Sequence, residues 1–188
     1  MIIWLASYPK SGNTWLRTII NELLYSKNNN EDYVFDALNN ITKYPKPIHF
    51  KDISEKFTNT SVYQDKYEVI KNWIPTQSRL NLDNKIKFFK THNCLCKINI
   101  ENKDYSFTNI DNTAGVIHIV RDPRTILTSL KYHFHLKNYE EAFEMMTDRY
   151  TWTGLKKNNV PEVMSSWDDH YLSWSRFPKN YFLIKYED

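Results

Sequence analysis

The sequence contains little glycine or cysteine and no long apolar run, and each of these shortages has a consequence. Three glycines among 188 residues predict polar, asparagine-rich loops, such as the one at residues 27–30. The two cysteines, Cys94 and Cys96, are too few for a zinc site and too close in sequence for an ordinary structural disulfide. No stretch approaches the ~20 apolar residues of a membrane-spanning helix, so no transmembrane segment is predicted.

Charge and length limit the possible functions further. The net charge of +3 suits an anionic ligand but is far from the dense basic surface of a nucleic-acid-binding protein, so no nucleic-acid partner is predicted. The length is that of one domain with a sizeable core, predicted to span residues 1–188. Because a strand and a loop begin almost at Met1, no signal peptide is predicted, and two free thiols indicate a cytoplasmic protein.

The first thirty residues carry the strongest local pattern, a strand followed by a short polar loop and a helix. Residues 2–6 form an apolar run that is typical of a buried strand in a parallel sheet. A loop in this position directs backbone N–H groups, and the positive end of the helix dipole, towards a ligand above the strand. The helix is predicted to bury one apolar face, composed of Trp15, Leu16, Ile19, Ile20, Leu23 and Leu24.

The loop itself has the chemistry of a phosphate cradle. Lys10 contributes a positive charge, and Gly12 allows a tight turn or the close approach of a ligand. The side chains of Ser11, Asn13 and Thr14 can form hydrogen bonds. An ordinary strand-to-helix turn is the alternative. The loop does not match the phosphate loop of nucleotide kinases. That loop requires G-x-x-x-x-G-K-[ST], whereas here the lysine precedes a single glycine.

A second polar cluster follows the strand predicted at residues 85–92. Because ligands of an open parallel sheet bind beyond the carboxyl ends of its strands, Lys90 and His92 are predicted to lie at the same edge as the first loop. A neutral imidazole there can accept a proton from an attacking hydroxyl. The other histidines receive no catalytic role: His118 is predicted in the core, His133 and His135 on a helix surface or pocket wall, and His49 and His170 have no recognisable partner.

A third cluster follows the buried strand predicted at residues 115–120. Arg121 stands at its carboxyl end, and Pro123 suits the first turn of the next helix. The guanidinium of Arg121 offers paired N–H donors that match phosphate oxygens, and Ser129 lies eight residues further on. A structural ion pair with a neighbouring carboxylate is the alternative for Arg121.

The remaining sequence is less informative about chemistry. Residues 28–60 are predicted to form a loop flanked by short helices, in which Tyr44 and Phe50 either line a ligand pocket or pack in the core. Residues 61–79 are predicted as a weak helix that ends at Pro75. The rest is predicted as two helices within residues 131–150, an amphipathic helix at 162–177 and a last strand at 181–186.

Four short motifs occur in sequence: Y-P-K-S-G-x-T-W at residues 8–15, K-T-H at 90–92, V-R-D-P-R-x-x-x-x-S at 120–129 and Y-E-D at 186–188. In this order they resemble the cytosolic type of sulfotransferase that uses 3′-phosphoadenylyl sulfate (PAPS). The resemblance covers nearly the whole chain. It implies a three-layer α/β fold in which a P-loop-like central parallel sheet is flanked by helices.

The resemblance also implies an activity and residue roles. The activity is sulfuryl transfer from PAPS to a small-molecule alcohol, phenol or amine, which leaves adenosine 3′,5′-bisphosphate (PAP) and uses no metal. His92 would be the general base, Lys10 would stabilise the leaving oxygen and Lys90 would hold the sulfuryl oxygens. The implied PAPS-binding residues are Lys10, Ser11, Gly12, Asn13, Thr14 and Trp15 of the loop, Arg121 and Ser129 at the 3′-phosphate, and Tyr186 near the adenine.

The chain departs from the resembled family at its end. Nothing matches the R-K-G-x-x-G segment that follows the last strand there, so the domain is expected to be C-terminally incomplete relative to the family. This leaves open a non-catalytic nucleotide-binding relative. A kinase or NTPase on a similar scaffold is a third hypothesis, which the absent G-K-[ST] argues against. The acceptor and the oligomeric state are not predicted.

Overall fold

The computed structural model describes residues 1–25, 40–54, 57, 65–155 and 159–187. The loop predicted at residues 27–30 and the last residue of the fourth motif, Asp188, lie outside the described residues. In chain order, the helices and strands are β1 (Ile2–Ala6), α1 (Asn13–Tyr25), α2 (Pro47–Phe50), α3 (Lys66–Lys71), α4 (Trp73–Leu80), β2 (Lys87–Thr91), β3 (Lys97–Ile100), β4 (Lys103–Ser106), β5 (Thr113–Val120), α5 (Pro123–Phe134), α6 (Tyr139–Thr147), β6 (Trp152–Thr153), β7 (Glu162–Val163), α7 (Trp167–Ser175) and β8 (Tyr181–Lys185).

Four parallel strands form the central sheet, in the order β2-β1-β5-β8. At the end of β1, Ala6 pairs with Thr91 on one side and with His118 on the other. Because the strands are parallel, their carboxyl ends lie at one edge of the sheet. The predicted positions of these strands are confirmed, at residues 2–6, 85–92, 115–120 and 181–186 of the sequence.

Helices cover both faces of this sheet. On one face, Leu16 and Ile20 of α1 pack with Leu5 and Ile119. The opposite face is covered by a larger group of buried side chains that includes Trp4, Trp73, Phe107, Val116 and Trp174. The two faces alternate along β1, as the two-residue period of a strand requires. The predicted three-layer α/β arrangement is therefore confirmed.

The first helix buries a narrower face than its sequence predicted. Leu16 and Ile20 are buried, whereas Trp15 is 51% exposed and Leu23 is 77% exposed. The six apolar residues form two adjacent stripes, one at positions 15, 19 and 23 and the other at 16, 20 and 24. Only the beginning of the second stripe contacts the sheet, so the prediction that all six residues are buried together was wrong.

Two predicted helix boundaries also differ from the structure. Pro75 was expected to end a helix but is the third residue of α4, where an N–H group would have no intrahelical acceptor, so a proline is tolerated there. The helix predicted from residue 162 begins at Trp167. Residues 162–163 instead pair with β6, and the Ser166 hydroxyl accepts a hydrogen bond from the Asp169 N–H at 3.4 Å.

Tyr44 and Phe50 belong to the core, which decides the alternative that the sequence left open. Both are fully buried. The Tyr44 hydroxyl donates to the Trp73 carbonyl oxygen at 3.1 Å, and its ring packs edge-on against Trp4 with centroids 5.4 Å apart. These two aromatic residues therefore support the sheet and do not line a binding cavity.

We predict that Trp4→Phe lowers the free energy of unfolding by about 2 kcal/mol, because a buried indole contributes both packing and hydrogen bonding. The indole N–H lies 3.1 Å from the Thr113 hydroxyl and 3.3 Å from that of Thr108. Urea denaturation of wild type and variant measures the change. Trp167→Phe, in a half-buried position, is the control and should cost less than about 1 kcal/mol; equal losses would contradict the prediction.

Candidate active site

A cavity of about 580 Å³ lies at the carboxyl edge of the central sheet. Its walls come from the β1–α1 loop, the carboxyl ends of β2 and β5, helix α5, the β6–β7 hairpin and the residue that follows β8. The predicted site residues that line it are Lys10, Gly12, Asn13, Thr14, Trp15, Lys90, His92, Arg121, Ser129 and Tyr186. Ser11, which is 1% exposed, does not line it. Residues from four separate motifs therefore meet in one place.

The β1–α1 loop is held in shape by its own hydrogen bonds. The Asn13 side-chain amide donates to the Leu5 carbonyl oxygen and to the Ser7 hydroxyl, both at 3.0 Å. The Ser11 N–H donates to the Tyr8 carbonyl oxygen at 3.3 Å. The backbone of Lys10 adopts a left-handed conformation with φ of 69°, which costs an L-residue roughly 1 kcal/mol. The loop is thus a fixed turn, and the N–H groups of the first turn of α1 have no intrahelical acceptor.

Gly12 is required where it stands because the ring of Tyr186 packs against it. Its φ is +95°, and a Cβ atom added there would lie 2.3 Å from Cδ2 of Tyr186. On its other sides, the Tyr186 ring meets Trp15 edge-on, with centroids 6.1 Å apart, and lies 4.5 Å from the guanidinium carbon of Arg121. Tyr186 therefore joins the loop, the end of β5 and the end of β8.

Arg121 is held from two sides. Its Nη1 donates to the Lys10 carbonyl oxygen at 3.2 Å. Its Nε lies 3.8 Å from the Glu187 carboxylate, too far for a hydrogen bond, and that same carboxylate oxygen accepts from the Asp122 N–H at 3.1 Å. The structural ion pair that was the alternative for Arg121 is therefore present as a long contact with Glu187, without a hydrogen bond. The guanidinium remains at the cavity wall together with Ser129, which α5 presents from the same side.

His92 has a defined orientation. Its Nδ1 lies 2.7 Å from the Ser7 carbonyl oxygen and 3.2 Å from the Ser7 hydroxyl. Because a carbonyl oxygen only accepts, Nδ1 carries the proton and Nε2 has a free lone pair. Burial and the nearby cation of Lys90 hold the pKa of His92 well below its usual value. At neutral pH the ring is therefore an uncharged imidazole that can accept a proton at Nε2.

Lys90 is a partly desolvated cation. Burial is the main cause that lowers its pKa to about 8, and the charges of Lys43, Arg17 and Lys10 lower it further, whereas Glu162 opposes them. Lys90 is thus largely protonated at pH 7 and about half deprotonated near pH 8. An ammonium group in such a place interacts more strongly with a bound anion than one in water.

Two charged residues that sequence reasoning missed, Lys43 and Glu162, also line the cavity. Lys43 Nζ and the Glu162 carboxylate form an ion pair at 2.5 Å, and the carboxylate is 1% exposed. Neither residue belongs to a recognisable motif, and a buried carboxylate cannot be distinguished from a solvent-exposed one by its position in a polar sequence. His133, which the sequence placed on a surface or pocket wall, lines the cavity too.

Three other histidines lie away from the cavity, and the buried position predicted for His118 is confirmed. His118 is 1% exposed, and its Nδ1 lies 2.9 Å from the Tyr181 hydroxyl. His170 is fully buried next to Tyr8, with ring centroids 5.7 Å apart. His135 follows α5 in a left-handed conformation at the surface. Of these three side chains, none reaches the cavity wall.

Within the described ranges there is no group of three or more His, Cys, Asp or Glu side chains placed to ligate a metal ion. The helices of these ranges include none that is both long and apolar enough to cross a membrane. Cys94 and Cys96 are free thiols, as their spacing predicted.

We predict that Gly12→Ala lowers the free energy of unfolding by roughly 2–4 kcal/mol, because a side chain there is strained and also overlaps Tyr186. In a Tyr186→Ala background the overlap is absent, and the same replacement should cost only the strain of the positive φ, about 1 kcal/mol. Urea denaturation of the four proteins gives the coupling energy. An equal cost in both backgrounds would contradict the contact between Gly12 and Tyr186.

Two solved structures of retinol dehydratase, one in complex with androsterone and the inactive cofactor PAP and the other with retinol and PAP, share the fold. Their TM-scores are 0.55 and 0.54, at 18% and 17% identity. Each comparison covers all of this chain but only 54% and 55% of the other, so the chain spans about half their length. No curated protein matches it significantly. A sulfotransferase domain model matches residues 2–188, and the chain belongs to that family.

Proposed function

We propose that this chain carries a sulfotransferase site, which moves a sulfuryl group from PAPS to a hydroxyl or amine of a small-molecule acceptor and leaves PAP. The observation that carries the proposal is the meeting of the four motifs around one cavity, with Nε2 of His92 free to accept a proton. The presence of PAP in the structurally similar retinol dehydratases supports the choice of nucleotide.

The donor set of the cavity fits such a nucleotide. Lys10, Lys90 and Arg121 supply positive charge, and the first turn of α1 supplies N–H groups, which together suit a 5′-phosphosulfate and a 3′-phosphate. Arg121 and Ser129 would hold the 3′-phosphate, and Trp15 and Tyr186 would flank the adenine. The excess of positive over negative side chains at the wall matches a ligand with several negative charges.

The chemistry that residues of this chain perform is proton acceptance and charge stabilisation. Bound PAPS supplies an activated sulfuryl group whose bridging S–O bond breaks as the acceptor oxygen or nitrogen bonds to sulfur. His92 accepts the acceptor's proton at Nε2, while the Ser7 carbonyl holds the ring through Nδ1. Lys10 and the loop N–H groups stabilise the negative charge that develops on the departing phosphate oxygen. Lys90 orients the sulfuryl oxygens.

The proposal also includes the extent of the domain and the cellular location of the protein. A single domain over residues 1–188 would contain the nucleotide site, and free thiols at Cys94 and Cys96 support a cytoplasmic location. A non-catalytic nucleotide-binding protein would keep the cradle without turnover, so nucleotide binding and turnover are tested separately below.

We predict that PAP binds the wild-type chain without magnesium and that Arg121→Ala weakens binding about a hundredfold, the ~3 kcal/mol of lost charge-assisted hydrogen bonds. Calorimetric titration measures both. Arg124→Ala is the matched control, since Arg124 lies three residues away, is 88% exposed and pairs with Asp122. Its PAP affinity should change less than about threefold. Equal losses in the two variants, or no binding by wild type, would contradict the site.

We predict that His92→Ala reduces turnover of radiolabelled PAPS about 10²–10⁴-fold while PAP affinity changes little, because the variant lacks the proton acceptor but keeps the anion-binding residues. The assay uses 2-naphthol, benzyl alcohol and tyramine as representative acceptors. His135→Asn, which suits the left-handed backbone at the surface, is the control and should keep wild-type turnover. Nucleotide binding without turnover in the wild type would favour the non-catalytic alternative.

A further inference from the structure

Glu162 lines the cavity but takes no part in the reaction proposed above. Among the described residues that line the cavity it is the one with an acidic side chain, and the carboxylate is 1% exposed. A carboxylate is rarely buried unless it is paired and hydrogen-bonded. Its partners therefore indicate what it does.

Each oxygen of the Glu162 carboxylate has a separate partner. Oε1 accepts the backbone N–H of His92 at 3.1 Å, and Oε2 pairs with Lys43 Nζ at 2.5 Å. The neighbouring backbone reinforces the first contact. The Asn93 side-chain oxygen accepts the Val163 N–H at 2.9 Å, and the Cys94 N–H donates to the Val163 carbonyl oxygen at 2.7 Å.

Lys43 is fixed directly beside Lys90. The two residues form a parallel β-bridge, in which the Tyr44 N–H donates to the Lys90 carbonyl oxygen at 2.8 Å. On the other side of the bridge, the Lys90 N–H donates to the Thr42 carbonyl oxygen at 2.9 Å. Two ammonium groups are thus brought to one wall, where they repel each other unless a negative charge lies close by.

We propose that Glu162 is a positioning residue of this site, which fixes the main chain that carries His92 and whose negative charge keeps Lys90 in its charged form. This role rests on the proposed function, because a charged Lys90 matters only if the cavity binds an anion. The first part follows from the hydrogen bond to the His92 N–H. The second follows from the placement of one buried carboxylate among several cations.

The charges that face Lys90 come from every element around it. Lys10 lies on the β1–α1 loop, Arg17 on α1 and Lys43 on the bridge beside β2, and all three disfavour the ammonium form. Uncharged His92 and His133 line the same cavity, and His170 of α7 lies behind His92. Glu162 of β7 is the charge that opposes them, and with its help the pKa of Lys90 is still lowered to about 8.

The sign of the effect provides the test. Glu162→Gln keeps an acceptor oxygen for the His92 N–H but removes the negative charge, so the pKa of Lys90 should fall. Lys43→Met removes a repelling cation on the same wall, so the pKa of Lys90 should rise. NMR titration of protein labelled with ¹³C at lysine Cε, with the Lys90 signal assigned by its loss in Lys90→Arg, measures the pKa without ligand or turnover.

We predict a downward shift of about one pH unit for Glu162→Gln, a tenfold change in the protonation equilibrium, and a shift of opposite sign for Lys43→Met. The double variant should return close to the wild-type value. It also removes the unpaired lysine that could prevent Glu162→Gln from folding. A Lys90 signal that titrates at the same pH in the wild type, both single variants and the double variant would overturn the proposal. Shifts of the same sign in Glu162→Gln and Lys43→Met would overturn it as well.

A second readout links this balance to the proposed function. PAP affinity should weaken as pH rises through about 8, where Lys90 loses its charge, and Glu162→Gln should move this loss to lower pH. Glu162→Leu, which also removes the acceptor for the His92 N–H, should lower turnover below pH 7 more than Glu162→Gln does, because glutamine keeps that acceptor. If Lys90 shifts as predicted but PAP does not bind, the charge balance stands and the nucleotide site fails. If PAP binds but Lys90 does not shift, the role of Glu162 fails alone.

Discussion

The parallel register of β1 with its neighbours is the constraint on which the site depends. Ala6 pairs with Thr91 in β2, so the residues that follow them, Ser7 and His92, leave the sheet side by side. The short contact between the Ser7 carbonyl and Nδ1 of His92 is a direct consequence of this register. A shift by one residue would turn the side chains to the opposite face and would separate the two groups. The orientation of the proposed base is therefore a property of the sheet.

The same register concentrates positive charge. Parallel strands deliver Lys10, Lys90 and Arg121 to a single edge, and the bridge to β2 adds Lys43. Such a group of cations stabilises a bound polyanion and destabilises the chain without one, because like charges in a partly buried site repel. One buried carboxylate offsets part of this repulsion. The proposed site would therefore favour an anionic ligand at some cost to the stability of the unliganded fold.

The sequence predicted the strands of the sheet and the edge at which the four motifs lie, because each of these features depends on a short sequence pattern. Strand runs such as residues 115–120, and the glycine and lysine of the first loop, are visible within a few positions. It did not predict which apolar stripe of α1 meets the sheet, since Trp15 and Leu16 are equally apolar and differ only in their tertiary neighbours. Glu162 and Lys43 were missed because they are 119 residues apart in sequence and become a pair only after the β6–β7 hairpin reaches β2.

The completeness of the site depends on the last strand of the sheet. Tyr186 follows β8, which stands last in the strand order of the described residues and pairs there with β5. Through that one residue, the Gly12 backbone, the Trp15 ring and the Arg121 guanidinium are held together. Arg121 in turn donates to the Lys10 carbonyl. Edge strands open more readily than central ones, since fewer hydrogen bonds hold them. Detachment of β8 would release Tyr186 and loosen the β1–α1 loop, so the geometry of the proposed anion site is coupled to the pairing of the strand furthest from that loop in sequence.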